Sequence, residues 1–213
     1  MISVKICGLS SLEGVQAAIA AGAEYVGFVF YPRSPRAVTA AQAAALARAV
    51  PAEVKKVGLF VDADDAAIAA VLDQVKLDYL QLHGAETTDR VARLRVRFGL
   101  PVIKAIAISG HEDIDRARNY ETVCDILLFD ARPPQTPDAL PGGNGLVFDW
   151  RLIAGHAWGR PWMLSGGLDA QNLAEAVRIS GATMIDVSSG VESAPGIKDA
   201  AKIRAFTAAA KTL

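Results

Sequence analysis

The sequence has no apolar run long enough to cross a membrane, although 52% of its residues are hydrophobic and its mean hydropathy is +0.26. A spanning helix needs about 20 consecutive apolar residues, and here alanine is spread through amphipathic segments. The N-terminus also lacks a basic segment followed by an apolar one, which a secretory signal would require. We therefore expect no membrane partner and a cytoplasmic location.

Cysteine and histidine are scarce, and neither sign of charge dominates. Two cysteines, Cys7 and Cys124, cannot form a disulfide framework, and with three scattered histidines they form no recognisable zinc spacing. The sequence therefore predicts no metal site and a reducing compartment. A net charge of −1 gives no electrostatic basis for binding nucleic acid.

What the sequence does contain is a repeated alternation of short apolar strands and amphipathic helices. "SVKICG", "SLEGVQAAIAAG" and "EYVGFVF" begin a pattern that returns eight times. Such alternation predicts a parallel sheet covered by helices, and a doubly wound open sheet is the alternative. Eight units within 213 residues, and no G-x-G-x-x-G after the first strand, favour a single α/β domain over residues 1–213. Its predicted architecture is a (β/α)₈ TIM barrel with eight parallel strands.

Several helix ends carry recognisable signals. Capping-box spacing predicts helix starts at Ser10…Glu13, Thr39…Gln42 and Ser109…Glu112. Glycines predict the ends of the first and seventh helices, at Gly22 and Gly181. The segment "FDWRLIAGHA" is expected to form the sixth helix, so that each of eight strands is followed by a helix.

Polar and glycine-rich residues gather where the predicted strands end, which is the end of such a barrel that carries active sites. Three loops there offer small residues whose backbone N–H groups can approach an anion. We predict that these loops bind a phosphate group, although tight turns alone would also explain the glycines. The predicted phosphate residues are Gly142, Gly143, Asn144, Gly145, Gly166, Gly167, Ser188, Ser189 and Gly190.

Two further strand ends carry groups able to move protons. Cys7 ends the first strand and Asp130 the sixth, three strands away around the barrel, at a backbone separation of roughly 14 Å. This leaves room for a small ligand between an acid and a base. The alternatives are a cysteine that only packs in the core and a carboxylate that only anchors a loop.

Other residues are expected to contact the ligand at the same end. Arg36, in the proline-stiffened segment "YPRSPR", can bind a carboxylate through two hydrogen bonds, or can be an ordinary solvated charge. His83 and Gln81 end the fourth strand and face the same space. We expect them to shape the pocket, with His83 contacting the substrate.

Taken in order, "VKICGL", "VGFVFYPRSPR", "VGLFV", "LQLHG", "LLFDA", "GGNG", "LSGGL" and "IDVSSGVE" resemble the phosphoribosylanthranilate isomerases of tryptophan biosynthesis over nearly the whole chain. The resemblance implies an Amadori rearrangement of N-(5-phospho-β-D-ribosyl)anthranilate, without metal or organic cofactor. It implies that Asp130 is the general acid, Cys7 the general base and Arg36 the carboxylate-binding residue. It also implies that the three loops hold the phosphate. A monomer or a homodimer is expected.

The sequence departs from the family pattern at two positions, with Asn144 in place of threonine and Ser165 in place of alanine. Other phosphosugar barrels are the alternatives. The related isomerase of histidine synthesis resembles this fold but has a carboxylate where Cys7 stands, and indole-3-glycerol-phosphate synthase requires a lysine, for which Lys104 is the candidate. A non-catalytic phosphate-binding barrel is expected to lose Cys7 or Asp130, and both are present.

Overall fold

The computed structural model describes residues 2–134 and 140–213, in which eight parallel strands close into a barrel. The first strand pairs with both the second and the eighth, so the described sheet has no free edge. The predicted barrel is confirmed, and the open-sheet alternative is wrong. The strands are β1 (Ser3–Cys7), β2 (Tyr25–Val29), β3 (Lys55–Phe60), β4 (Tyr79–Leu82), β5 (Val102–Ile108), β6 (Ile126–Ala131), β7 (Trp162–Leu164) and β8 (Met184–Val187).

Seven α-helices in the described residues cover the outside of the barrel. Their apolar faces pack against the strands through fully buried side chains such as Ile68 and Phe206. None of these helices has the length and apolar character that crossing a bilayer requires. The helices are α1 (Leu12–Ala21), α2 (Ala40–Ala47), α3 (Asp65–Leu72), α4 (Thr88–Phe98), α5 (His111–Arg118), α6 (Leu173–Ser180) and α7 (Ala200–Lys211).

The expected helix after β6 does not form. In its place is a single 3₁₀ turn, Trp150–Leu152. The Asp149 carboxylate accepts a hydrogen bond from Arg151 N at 3.0 Å, and Gly155 then takes a φ of 71°, which a helix interior does not allow. The prediction of eight helices was therefore wrong in the sixth unit.

The helix-start signals were partly correct. At α2 the Thr39 hydroxyl accepts from Gln42 N at 3.2 Å and Thr39 N donates to Gln42 Oε1 at 2.8 Å, as predicted. At α1 the capping residue is Ser11, whose hydroxyl accepts from Gly14 N at 3.1 Å. The expected box at Ser10 was one residue early, because the Ser10 hydroxyl donates to a distant carbonyl oxygen instead.

The start of α5 differs in the same way. Asp113, rather than the expected Glu112, folds back on the helix start, and its Oδ2 accepts from Ser109 N at 2.7 Å and Gly110 N at 3.2 Å. Gly22 and Gly181 end their helices with φ values of 89° and 74°, as predicted.

The barrel interior is layered along its axis. A layer of apolar side chains fills its lower part, with Val57, Ile103 and Leu128 fully buried. Above it, towards the carboxyl ends of the strands, Cys7 packs with Val29 and Leu59. This upper layer forms the floor on which the pocket described below rests.

A small antiparallel hairpin follows β8 and was not expected from the sequence. Its strands are β9 (Glu192–Ala194) and β10 (Ile197–Lys198), joined by a turn in which Gly196 has a φ of 82°. The hairpin directs the side chains of Glu192 and Lys198 back towards the barrel mouth, where both are buried.

Candidate active site

A pocket opens at the carboxyl ends of the strands, and almost every predicted site residue lines it. The exception is Gly190, which packs against the backbone between β7 and α6. An added Cβ at this position would lie 1.9 Å from Leu168 O. The position therefore accepts no side chain, and its role in binding stays a prediction. The predicted residues that do line the pocket are Cys7, Arg36, His83, Asp130, Gly142, Gly143, Asn144, Gly145, Gly166, Gly167, Ser188 and Ser189.

Cys7 lies at the pocket floor, at the end of β1. Only 4% of the residue is exposed, and burial raises the pKa of its thiol, whereas the Lys5 ammonium beside it lowers that pKa. A thiol acts as a base only in its thiolate form, so the base role requires a lowered pKa. In this structure burial outweighs the nearby charge, so the thiol is less acidic than an exposed cysteine.

Lys5 and Asp186 form a buried ion pair next to this thiol. Lys5 Nζ lies 2.8 Å from Asp186 Oδ1, and none of the Lys5 side chain is exposed. The Ser165 hydroxyl donates to Asp186 Oδ2 at 3.2 Å. The alanine of the family pattern at this position could not make this hydrogen bond. Sequence reasoning missed the pair. A lysine inside an apolar strand, two residues before Cys7 and thus on the same face, was the available signal.

Asp130 is held by two contacts on the opposite side of the pocket. Its Oδ1 accepts from Ala131 N at 2.9 Å, and its Oδ2 lies 3.1 Å from His83 Nε2. The other ring nitrogen, His83 Nδ1, lies 2.9 Å from Gln81 Nε2. With the amide so placed, Nδ1 accepts from Gln81 and Nε2–H donates to Asp130. His83 therefore contacts the predicted acid directly.

Arg36 is buried, so the reading of a solvated surface charge was wrong. Its Nε and Nη2 donate to the two Glu192 oxygens at 2.8 Å and 2.9 Å, and Nη2 also donates to Gly143 O at 3.2 Å. Lys198 donates to Glu192 Oε1 at 2.7 Å. Burial raises the pKa of Glu192, but the bonds and charges of Arg36 and Lys198 outweigh it and hold that pKa below its usual value. Glu192 thus fixes the direction in which the guanidinium points.

The predicted phosphate loops form one wall of the pocket. In the described part of the chain, the N–H groups of Gly166 and Gly167 donate no hydrogen bond. Asn144 instead donates from its side chain to Leu140 O at 2.8 Å, which holds the first loop closed. The N–H groups of Gly166 and Gly167, both in the pocket lining, therefore remain available to an anion. The proline-rich segment after Asp130 includes residues 135–139, which lie outside the described residues.

The lysine required by the synthase alternative does not face this pocket. Lys104 Nζ lies 2.7 Å from Glu86 Oε2 with both side chains 2% exposed, and it also donates to Gly84 O at 2.8 Å. It is absent from the residues that line the pocket. Within residues 2–134 and 140–213, no cluster of three or more histidine, cysteine or acidic side chains could hold a metal ion.

Comparison with known sequences decides between the remaining candidates. The family described as N-(5'phosphoribosyl)anthranilate (PRA) isomerase matches residues 4–209. An N-(5'-phosphoribosyl)anthranilate isomerase of Rhodospirillum centenum is 57% identical over 212 residues, covering 100% of this chain and 99% of that protein. The chain belongs to the phosphoribosylanthranilate isomerase family. The prediction of an isomerase is confirmed, and the alternative of a non-catalytic barrel is set aside.

Solved structures of phosphoribosylanthranilate isomerases share the fold over the full chain. The enzyme of Thermotoga maritima has a TM-score of 0.89 and 36% identity, with 100% of both chains covered. A second structure holds an isomerase in complex with reduced 1-(o-carboxyphenylamino)-1-deoxyribulose 5-phosphate. It has a TM-score of 0.86 and 36% identity, again with 100% of both chains covered.

Proposed function

We propose that this phosphoribosylanthranilate isomerase converts N-(5-phospho-β-D-ribosyl)anthranilate into 1-(2-carboxyphenylamino)-1-deoxy-D-ribulose 5-phosphate in L-tryptophan biosynthesis, with Asp130 and Cys7 as its acid and base. The observation that carries the assignment of roles is that one pocket is lined by a carboxylate from β6 and a thiol from β1, on opposite sides of the barrel. A phosphosugar is therefore the small-molecule partner.

Asp130 is placed to open the sugar ring. Its carboxyl group transfers a proton to the ring oxygen, the bond from that oxygen to C1 breaks, and the anthranilate nitrogen lone pair forms the C1–N double bond. The resulting Schiff base is cationic at nitrogen. His83 contacts Asp130 Oδ2 and so orients the carboxyl group and stabilises the carboxylate that remains.

Cys7 then acts at the neighbouring carbon. Its thiolate removes the C2 proton, and the electron pair left behind neutralises the Schiff base to give an enolamine. Gain of a proton at C1 and loss of the 2-hydroxyl proton complete the ketone. An acid and a base on opposite strands suit this sequence, because the two proton transfers occur at different atoms of one ligand.

Arg36 and the glycine-containing loops hold the two anionic ends of the substrate. The hydrogen bonds of Arg36 use Nε and Nη2, so we assign Nη1 to the anthranilate carboxylate. The phosphate is assigned to the backbone donors of Gly166 and Gly167 and to the loops at 142–145 and 188–189. The carboxyphenyl and 5-phosphate groups of the compound bound by the relative carry the same two anions.

The state of the cysteines bears on the cellular setting of the chain. Both cysteines are free and buried, which agrees with a reducing compartment and supports the cytoplasm as the site of the reaction. A monomer or homodimer remains the prediction for its assembly.

Loss of anthranilate fluorescence from freshly generated phosphoribosylanthranilate tests the proposal. We expect the wild-type protein to catalyse the loss and a Cys7→Ser, Asp130→Asn double variant with unchanged circular dichroism to show none above background. A folded wild-type protein that binds the substrate without accelerating the loss would overturn the proposed activity.

A further inference from the structure

The buried Lys5–Asp186 pair lies beside a residue whose proposed chemistry depends on charge. Lys5 and Cys7 are two residues apart on β1, so their side chains point into the barrel from the same face. A fully buried lysine is rare unless it is paired, because removing an ammonium from water is costly. Asp186, on the neighbouring strand β8, supplies the counter-charge at 2.8 Å.

The backbone of β2 makes room for the lysine and the thiol together. Gly27 lies beside both, and a Cβ at that position would lie 2.9 Å from Cys7 Sγ and 3.3 Å from Lys5 Nζ. The two side chains therefore meet over the same glycine. A side chain at position 27 would displace at least one of them, so glycine is needed to keep both in place.

The groups around the thiol come from three elements. Lys5 on β1 and Lys198 on β10 lower the pKa of Cys7, and Asp186 on β8 raises it. Lys198 is already bound to Glu192 Oε1 at 2.7 Å and to Ser188 O at 2.9 Å. Among the described residues, Lys5 is paired only with Asp186, and its Nζ lies beside the same glycine as the Cys7 sulfur. Of the two lysines, Lys5 is therefore the better placed to stabilise a thiolate at Cys7.

We propose that Lys5 is a positioning residue that stabilises Cys7 as a thiolate, and that Asp186 limits this stabilisation by sharing the ammonium. The inference rests on the proposed base role of Cys7. Under this proposal, the protonation state of Cys7 is controlled by Lys5, which is not among the residues that line the pocket. When Cys7 is a thiol, the ammonium is neutralised by Asp186; when the proton leaves, the same ammonium faces two anions.

Ser165 contributes a smaller part of the same arrangement. Its hydroxyl donates to Asp186 Oδ2 at 3.2 Å, and Lys5 binds the other carboxylate oxygen. A hydrogen bond to the carboxylate weakens its hold on the ammonium, which leaves more of that charge for the sulfur.

The experiment measures the rate at which iodoacetamide alkylates Cys7 across a pH series, with the product identified by peptide mass mapping. No substrate is used, so the outcome is independent of the turnover assay. Cys124 does not interfere, because burial raises its pKa to about 12. Lys5→Met should move the midpoint of the Cys7 profile to higher pH by about one unit or more, whereas Asp186→Asn should move it to lower pH.

Opposite shifts separate this proposal from general damage to the fold, which would move both profiles in one direction. Lys5→Arg keeps the charge and should place the midpoint nearer to wild type than Lys5→Met does. Lys104→Met removes another buried lysine, which is paired with Glu86 away from the pocket, and should leave the midpoint unchanged.

Three results would overturn the proposal. The Cys7 midpoint could stay unchanged in Lys5→Met, it could shift in the same direction in Lys5→Met and Asp186→Asn, or it could shift as far in Lys104→Met as in Lys5→Met. If Lys5→Met does not fold, Asp186→Asn decides alone, because it leaves the lysine in place. A downward shift then supports the proposal, and an unchanged or upward shift rejects it. The turnover assay with wild-type protein reports separately on the proposed function.

Discussion

Four side chains that differ in chemistry divide the pocket into two halves. On the β6 side, His83 contacts the carboxyl group of Asp130, the proposed acid. On the β1 side, Cys7 and the buried Lys5 lie beside the same residue, Gly27. The proposed acid thus has an imidazole ring as its neighbour, and the proposed base has an ammonium group. A hydrogen bond from His83 suits Asp130, which becomes a carboxylate once it has given up its proton. An ammonium group suits Cys7, which must be a thiolate before it accepts one.

The proposed acid and base give the first prediction. Asp130→Asn and Cys7→Ser should each lower kcat by about 10²- to 10⁴-fold, the usual contribution of a positioned acid or base. Circular dichroism and the unfolding midpoint should stay near wild type. Cys124→Ser, which alters a buried cysteine outside the pocket, is the control and should keep its turnover. Retention of most activity by either pocket variant would contradict the assigned roles.

The proposed carboxylate contact gives a second prediction. Arg36→Ala should raise KM by about 10- to 100-fold, since hydrogen bonds to charged groups contribute about 1.5–3 kcal/mol, while kcat falls much less. Steady-state kinetics with phosphoribosylanthranilate measure this. A phosphoribosylaniline analogue, which lacks the carboxylate, should bind wild type and variant almost equally. Equal losses for both ligands would assign Arg36 another role.

At the scale of single elements, the ends of helices depend on a one-residue register that spacing alone does not resolve. Ser10 and Ser11 both precede α1, and only Ser10 has an acidic residue, Glu13, three positions later. Only Ser11 caps the helix, because the β9–β10 turn offers the Ser10 hydroxyl the carbonyl of Gly196 at 3.3 Å. A contact from 186 residues away thus decides a local choice.

The register of α1 gives a third prediction. Ser11→Ala should lower the free energy of unfolding by about 1 kcal/mol, the usual cost of losing an N-cap side chain. Ser10→Ala, the matched control, should change it by less than about 0.5 kcal/mol, as for a surface position. Urea unfolding followed by circular dichroism measures both. A larger loss in Ser10→Ala would restore the capping box predicted from the sequence.

The sequence predicts those parts of the fold and site that depend on local signals, and not those that depend on contacts between distant segments. Strand ends are marked by apolar runs that stop at a polar residue, so Cys7 and Asp130 could be placed correctly at one end of a barrel. Glu192 could not, because its position depends on a hairpin that turns it back onto Arg36. Lys5 carries a sequence signal, but its partner Asp186 becomes apparent only when β1 and β8 are known to pair.

At the scale of the whole molecule, several carboxylates outside the pocket tie adjacent units together. Burial raises the pKa of Asp113, but hydrogen bonds from Ser109 and the charges of Arg116 and Arg132 outweigh it and hold that pKa below 3.8. Asp125 behaves alike, with its pKa lowered mainly by Arg95, whose Nη2 lies 2.6 Å from Oδ1, and by Val102 N. These groups are more acidic in the folded protein than in the unfolded chain.

The fourth prediction follows from these carboxylates. Because their folded-state pKa is lowered, their stabilisation is fully present above the unfolded value of about 3.9 and is lost as pH falls through the folded-state pKa. The part of the free energy of unfolding that these carboxylates contribute should therefore stay constant from about pH 6 to 5. It should decrease once the pH is lower than about 4. Thermal unfolding across that range measures it. The stability of Asp125→Asn should decrease less steeply with falling pH than that of wild type. An equally steep decrease would show that Asp125 does not contribute to the acid sensitivity.

Closure of the barrel between β1 and β8 also orders events during synthesis. Asp186, the counter-ion of Lys5, is made 181 residues after it. Until β8 leaves the ribosome, Lys5 has no counter-ion within its apolar strand, and Cys7 lacks one wall of its pocket. Since α7 also docks on α1, with Lys211 Nζ 2.8 Å from Ala21 O, a chain that stops before β8 should remain without a competent site.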